Sequence, residues 1–193
     1  MSSPHRPLDP RSGLLLDTHE LGRRAGAMKQ LRAVVEAPAE LGIDVIGVPP
    51  GSPVELDVRL ESVVEGVLVT GTATVAVQGQ CVRCLTEISD QLEVDVQELF
   101  VHPESEADEE EASRLEGDLI DLEPLLRDEV VLDLPFQPLC REDCAGLCVE
   151  CGANLNENPE HAHQARSDPR WDALRSFEGG DDKTYDVMSK TQR

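Results

Sequence analysis

VELDVRLESVVEGVLVTGTATVAV, residues 54–77, alternates apolar and polar side chains along two runs that are separated by a short turn. In the first run, 54–60, valine and leucine occupy one face and charged residues the other. In the second run, 67–77, valine and alanine alternate with threonine. A period of two is typical of a strand with one buried and one solvent-exposed face. With Val64-Glu65-Gly66 as the turn, the stretch predicts an antiparallel hairpin.

The sheet is predicted to extend on both sides of this hairpin. Residues 88–101 alternate in the same way and predict a third strand, with a turn around Cys81–Cys84 connecting it to the second. A short strand is predicted at 13–17. Residues 21–36 fit either a helix or a strand, and their pattern does not decide between the two.

Helices are predicted only after the sheet. Asp121 is placed to cap the segment LEPLLRDEVVLDL, residues 122–134, whose leucines and valines recur near one side, and Pro135 ends it. Asp168-Pro169 predicts the start of a short helix over 168–177. The predicted fold class is α+β: an antiparallel β-sheet or partly closed barrel core with a few short helices and a C-terminal cysteine-rich knuckle.

The chain of 193 residues is long enough for one core and hardly for two. Its predicted parts are a flexible N-terminus at 1–12, a β-rich core at 13–138 with an acidic loop at 103–118, a cysteine-rich knuckle at 139–156, and a C-terminal part at 157–193 that holds a linker, the short helix and a flexible tail.

The formal net charge is −22, and the acid is concentrated in residues 104–151. Such a field repels phosphate backbones and anionic lipid and attracts basic partners. The sequence contains neither a signal-peptide core nor an apolar run long enough to span a membrane. We therefore expect a cytoplasmic protein in a reducing compartment, where structural disulfides are rare.

The densest reactive segment is LCREDCAGLCVECGANLN, residues 139–156. The Cys148-Val-Glu-Cys151-Gly152 spacing predicts a tight turn with both sulfurs on one side. The first prediction is a tetrahedral four-thiolate zinc site formed by Cys140, Cys144, Cys148 and Cys151. Reduced structural thiols, or disulfide or redox use, are the alternatives. The acidic flanks are expected to raise the thiol pKa values and so to oppose redox use.

A further cysteine pair lies in QCVRCL, residues 80–85. It gives an alternative zinc set formed by Cys81, Cys84, Cys148 and Cys151. The C-terminal set is preferred because it needs no long-range loop closure. His161 and His163 are interpreted as solvated residues of a polar linker. No catalytic constellation is apparent, so no catalytic residue is predicted and the protein is expected not to be an enzyme.

Four elements in order resemble the bacterial YceD family: CVRCL (81–85), an acidic linker, GDLIDLEPLLRDEVVLDLPFQPLC (117–140) and DCAGLCVECGANLN (143–156). The resemblance covers roughly residues 13–177, and the tail WDALRSF is similar to actinobacterial-type members. It implies a large ribosomal RNA subunit accumulation protein that acts in the synthesis, processing or stability of 23S ribosomal RNA.

Charge refines what the resemblance implies about partners. A strongly acidic chain is unsuited to gripping ribosomal RNA, because it releases no counterions from the phosphate backbone. The hypothesis is a non-catalytic assembly factor that acts on a ribosomal protein or a pre-50S particle through a basic protein. Two alternatives are a metal-dependent RNA-processing enzyme and a thiol redox sensor. The sequence does not indicate an oligomeric state.

Overall fold

The hairpin predicted from residues 54–77 forms the centre of the sheet in the computed structural model, which describes residues 13–105, 113–163 and 170. The elements within those residues are, in chain order, β1 Leu15–Asp17, β2 Met28–Glu36, β3 Leu41–Ile43, β4 Ile46–Val48, β5 Pro53–Ser62, β6 Gly66–Gln80, β7 Glu87–Val101, β8 Leu119–Asp121 and α1 Glu123–Asp133.

The main sheet is antiparallel, and β6 is its central strand. One side of β6 pairs with β7 along its whole length, and the other side pairs first with β5 and then with β4. Strand β2 pairs with β5, and β3 pairs with β4. Among the described strands the sheet is open and does not close into a barrel, and the α+β class is confirmed.

Alternating side chains of the long strands form the core. The aliphatic side chains of Val58, Val69 and Val94 are almost completely buried on the inner face, whereas the intervening residues point outward. Burying one such side chain stabilises the fold by about 1.5–3 kcal/mol before entropic costs. Because the inner set is aliphatic and regular, the alternation in the sequence was sufficient to predict all three long strands.

Residues 21–36, which fitted a helix or a strand, contain strand β2. It lies at the sheet edge, and its partner β5 supplies the backbone hydrogen bonds from Met28↔Glu61 to Glu36↔Pro53. Alternation along β2 is shallow, between exposed and half-buried positions. Pairing with a neighbour that is distant in sequence therefore decided a choice that the local pattern left open.

Helix α1 lies within the predicted segment 122–134, but Leu122 and not Asp121 occupies its N-cap position. The Asp121 carboxylate accepts a hydrogen bond from the Glu123 backbone N–H at 2.9 Å, and Pro124 occupies the first turn. The chain turns extended at Leu134, immediately before Pro135. Among the described residues, no helix is long and apolar enough to cross a membrane.

Arg127 of α1 fastens the helix to the loop that follows β2. Its guanidinium donates hydrogen bonds to the backbone carbonyls of Ala39, at 3.1 Å, and Glu40. It also pairs with the Glu123 carboxylate at 3.0 Å. These contacts hold α1, the one α-helix among the described residues, against the loop between β2 and β3.

Several predicted segments lie outside the described residues. These are the N-terminus at 1–12, most of the helix expected at 168–177, the final tail, and residues 106–112 of the acidic loop. The predicted domain limits therefore stay predictions.

Candidate metal centres

Cys81 and Cys84 lie in the turn between the two longest strands. The chain leaves β6, turns through Val82-Arg83, and enters β7, with Cys81 N–H donating to the Thr86 carbonyl at 2.9 Å. Both cysteine side chains are buried. The β6–β7 pairing sets the position of this turn, so its two sulfurs lie at a fixed place at one end of the sheet.

The segment after helix α1 docks on this turn through Arg83. Its guanidinium donates to the Cys144 carbonyl at 3.0 Å, and its own carbonyl accepts from Leu147 N–H at 3.1 Å. The Val82 N–H donates to the Pro138 carbonyl at 3.0 Å. The arginine of the CVRC motif therefore positions the chain that carries Cys140 and Cys144.

Gly146 makes this close approach possible. Its φ of +78° lies in the left-handed region, and a Cβ at this position would lie 3.1 Å from the Arg83 carbonyl oxygen. Both the backbone conformation and the limited space favour glycine here.

The first candidate centre, called the four-thiol group, consists of Cys81, Cys84, Cys140 and Cys144. Two sulfur pairs are 3.8 and 3.5 Å apart, and all four sulfurs lie within 4.8 Å of one another. Zinc–sulfur bonds of about 2.3 Å in a tetrahedron place the sulfurs about 3.8 Å apart. Three of the four cysteines are buried. The group therefore has the size and composition of a closed thiolate site.

The thiols of this group differ in acidity. Burial of Cys81 raises its pKa, but backbone N–H groups of Cys140, Cys84 and Arg83 outweigh burial and lower the pKa to about 6. The Thr86 side chain lowers the pKa of Cys84. Hydrogen bonding to Cys84, together with burial, raises the pKa of Cys140 to about 12. Without a cation the sulfurs therefore do not all ionise together, whereas a bound divalent cation deprotonates its ligands.

The acidic flanks had predicted raised pKa values for the thiols of the 139–156 segment. That expectation is wrong for Cys148, because backbone N–H groups of Glu150 and Cys151 lower its pKa to about 7. At Cys140 the pKa is raised, but by neighbouring thiols and burial. Backbone amides that point at sulfur within a tight turn act at shorter range than carboxylates on exposed side chains.

The second candidate centre, called the Cys–His group, consists of Cys148, Cys151, His161 and His163. The turn Cys148–Gly152 closes through a Gly152 N–H to Cys148 carbonyl hydrogen bond of 2.8 Å, and Gly152 has a φ of +74°. The Cys151 sulfur lies 3.2 Å from the Nε2 atom of each histidine. The sequence reasoning missed both histidines, although a Cys-x-x-Cys pair followed by a His-x-His pair is a metal-ligand pattern.

Asn156 contacts the chain that carries the four-thiol group. Its Nδ2 lies 3.4 Å from the Cys144 sulfur, and its Oδ1 accepts hydrogen bonds from Ala145 N–H at 2.8 Å and from Arg141 at 2.7 Å. The Leu155 N–H donates to the Gly146 carbonyl at 2.9 Å. The chain that leaves the first group is thereby folded back on itself before it reaches the histidines.

The structure does not bring together either four-cysteine set proposed from the sequence. It divides the dense cluster into pairs and places each pair with partners outside the 139–156 segment. Cys140 and Cys144 lie with Cys81 and Cys84, and Cys148 and Cys151 lie with the two histidines. The loop-closure argument failed because strand pairing had already brought the CVRC turn to the end of the sheet. Which residues bind metal stays a prediction, with these groupings as its basis.

Within the described residues, the fold and the two groups define an α+β protein with an open antiparallel sheet and a cysteine-rich knuckle that could hold metal ions. The chain belongs to the YceD family, whose model, described as large ribosomal RNA subunit accumulation protein YceD, matches residues 69–178. The resemblance seen in the sequence is therefore confirmed. The matched range includes both candidate centres.

Similar proteins match the chain beyond the range of the family model. Uncharacterized protein Rv2926c of Mycobacterium tuberculosis is 42% identical over 191 residues, which cover 95% of this chain and 92% of that protein. Uncharacterized protein ML1660 of Mycobacterium leprae is 41% identical over 167 residues, covering 84% and 76%. Large ribosomal RNA subunit accumulation protein YCED homolog 1, chloroplastic, of Zea mays is 28% identical over 154 residues, covering 61% and 53%. No solved structure matches the chain significantly.

Proposed function

We propose that this protein is a non-catalytic cytoplasmic factor that supports the synthesis, processing or stability of 23S ribosomal RNA and the assembly of the large subunit. Family membership carries the proposal, because the family is described by large ribosomal RNA accumulation. Depletion of the protein in its own cells should lower the ratio of 23S to 16S ribosomal RNA. An unchanged ratio, with unchanged large-subunit levels, would contradict the role.

The proposed direct partner is a basic ribosomal protein, alone or within a pre-50S particle. A chain with net charge −22 repels phosphate and gains no counterion release on binding RNA. The same charge accelerates and orients encounters with a basic protein. Many basic proteins bind nucleic acid non-specifically. An acidic factor that binds such a protein before assembly would prevent this.

The outward face of the sheet is the proposed contact, and we call it the acidic face. The register places Glu55 opposite Thr74, which lies opposite Glu93, while Asp57 and Asp95 flank Thr72 in the next row. An open groove of about 550 Å³ runs over this face, and Arg32, whose guanidinium pairs with the Asp57 carboxylate at 2.9 Å, lines part of it. Small threonines between rows of carboxylates leave room for long lysine or arginine side chains, which favours a basic segment as the occupant.

A pull-down from cell extract, with and without ribonuclease, tests the partner. The Glu55→Gln/Glu93→Gln variant removes two charges from the acidic face, and Asp128→Asn/Asp133→Asn removes two from helix α1 as a matched control. We expect a basic ribosomal protein to survive ribonuclease treatment, to be retained by the control, and to be reduced several-fold by the acidic-face variant. Equal reduction in both variants would exclude the acidic face, and tight binding to naked ribosomal RNA at physiological salt would exclude the mechanism.

The four-thiol group is proposed to bind one structural zinc ion. The sulfur spacings of 3.8 and 3.5 Å match the edge of about 3.8 Å expected for a tetrahedral zinc–thiolate site. Four protein thiolates leave no open position for water on such an ion, which disfavours the alternative of a metal-dependent RNA-processing enzyme. The ion would join the β6–β7 turn to the chain after helix α1, as a cross-link between the sheet and the knuckle.

A further inference from the structure

The two histidines of the Cys–His group converge on the cysteine turn in an unusual way. The Nε2 atoms of His161 and His163 are 2.9 Å apart, and each lies 3.2 Å from the Cys151 sulfur. The rings are nearly perpendicular, at 84°. Cys148 completes a set whose four ligand atoms all lie within 4.8 Å of one another.

Hydrogen bonds satisfy these three contacts only by sharing protons and lone pairs. An imidazole nitrogen carries either a proton or a lone pair in the ring plane, so each Nε2 is a donor or an acceptor and not both. If one Nε2 donates to the other, its single proton is shared between that nitrogen and the Cys151 sulfur, and the single lone pair of the acceptor nitrogen is shared between the N–H and the Cys151 thiol. A cation at the centre removes this sharing, because it accepts a lone pair from every nitrogen and sulfur.

The dimensions fit a small tetrahedral ion after a slight expansion. Zinc–nitrogen bonds of about 2.0–2.1 Å and zinc–sulfur bonds of about 2.3 Å give edges of about 3.3 Å between nitrogens and about 3.6 Å between nitrogen and sulfur. The observed edges of 2.9 and 3.2 Å are each shorter by a few tenths of an ångström. Small ring rotations in this exposed segment would supply the difference.

A carboxylate lies near the second ring nitrogen of one of these ligands. Glu150 Oε2 lies 3.5 Å from Nδ1 of His163, on the side of the ring opposite the nitrogen that faces Cys151. A carboxylate on the remote nitrogen of a metal-binding histidine fixes the tautomer and ring orientation, and it strengthens the ligand. Glu150 comes from the cysteine turn itself, so the turn supplies both sulfur ligands and the support for one histidine.

We infer that Cys148, Cys151, His161 and His163 form a second zinc site that is separate from the four-thiol group and exchanges its ion faster. The separation follows from the ligand sets, which share no residue. The faster exchange follows from exposure: Cys151 and His163 are exposed and the other two ligands half-buried, whereas three members of the four-thiol group are buried. Chelators and water reach the second ion without opening the sheet.

Native mass spectrometry of the full-length protein, purified in the presence of zinc, tests the inference. We expect two zinc ions in the wild type, one in Cys151→Ser and in His161→Ala/His163→Ala, and two in the matched control His102→Ala. The single variant His161→Cys should bind two zinc ions, because its thiolate replaces the imidazole as a ligand. One ion in the wild type, or two in Cys151→Ser, would overturn the inference.

A second measurement uses the wild type alone and so does not depend on how any variant folds. The protein is mixed with excess chelator, and alkylation of each cysteine is followed by mass spectrometry. We expect Cys148 and Cys151 to become alkylated at least ten-fold sooner than Cys81 and Cys84. Equal rates for the two pairs, or no protection of Cys151 by zinc, would contradict a separate, faster-exchanging site. Neither result bears on the ribosomal role, which the pull-down and depletion experiments test independently.

Discussion

Cys84→Ser should destabilise the entire protein, because the proposed zinc ion joins parts of the chain that are far apart in sequence. An ion that holds Cys81 to Cys144 closes a loop of about 60 residues, and the chain-entropy relation for cross-links assigns about 4 kcal/mol to such a loop. A site confined to Cys140–Cys151 would close about 12 residues, for about 3 kcal/mol. Losing one ligand of a buried four-thiolate site should remove most of the stabilisation of about 4 kcal/mol that the longer loop predicts.

Urea denaturation of the wild type and of two variants measures this effect. We expect Cys84→Ser to lower the free energy of unfolding by about 4 kcal/mol, and Cys151→Ser to change unfolding of the sheet by about 1 kcal/mol or less, because the exposed knuckle can open locally. Chelation should destabilise the wild type by a similar amount, and it should change the unfolding of Cys84→Ser only by the contribution of the second site, about 1 kcal/mol or less. A chelator effect that is undiminished in Cys84→Ser would refute the reasoning, as would equal destabilisation by the two variants.

Three further outcomes are expected. The Asp118 carboxylate, 3.1 Å from the ring of His19, raises that histidine's pKa, so Asp118→Asn should lower it toward 6.5 in an NMR titration; an unchanged pKa would exclude the pair. The charge pairing is present below the raised pKa and is lost as pH rises through it. Arg127→Ala should reduce the free energy of unfolding by about 1–3 kcal/mol through lost hydrogen bonds, with Arg127→Lys recovering only part, as calorimetry would show. Gly146→Ala should weaken zinc binding in competition assays, since its φ of +78° and the Arg83 carbonyl both oppose a Cβ, whereas Ala145→Gly should leave zinc affinity nearly unchanged.

Local patterns in the sequence were sufficient for most of the regular structure. Three strands, the two turns between them and helix α1 all follow from signals within a few residues: period-two alternation, a glycine turn, and a run of recurring leucines and valines that ends at Pro135. Strand β2 was undecided because it is an edge strand with a shallow pattern, and β5 supplies its hydrogen bonds. Where a strand depends on a partner that is distant in sequence, its local pattern alone does not distinguish a strand from a helix.

The sequence also identified the six cysteines that lie in the two candidate groups, but it did not show how they are grouped. Spacing suggested that four neighbouring thiols meet, since short loops close at the lowest entropic cost. A lower cost for short loops does not decide how Cys81 and Cys84 are grouped, because pairing of β6 with β7 fixes the position of their turn whether or not a metal binds. Arg83 and Gly146 then bring Cys140 and Cys144 to it.

Composition, apolar periodicity and motif order by themselves determined the acidic character, the α+β class and the family of this protein. Only the tertiary structure divided the dense cysteine segment between two groups. It also placed His161 and His163, which the sequence suggested were solvated linker residues, beside Cys148 and Cys151. The physical reason is that a ligand set is defined by distances of a few ångströms between side-chain atoms. Those distances depend on strand register and on backbone contacts at Arg83 and Asn156, and spacing along the chain does not encode them.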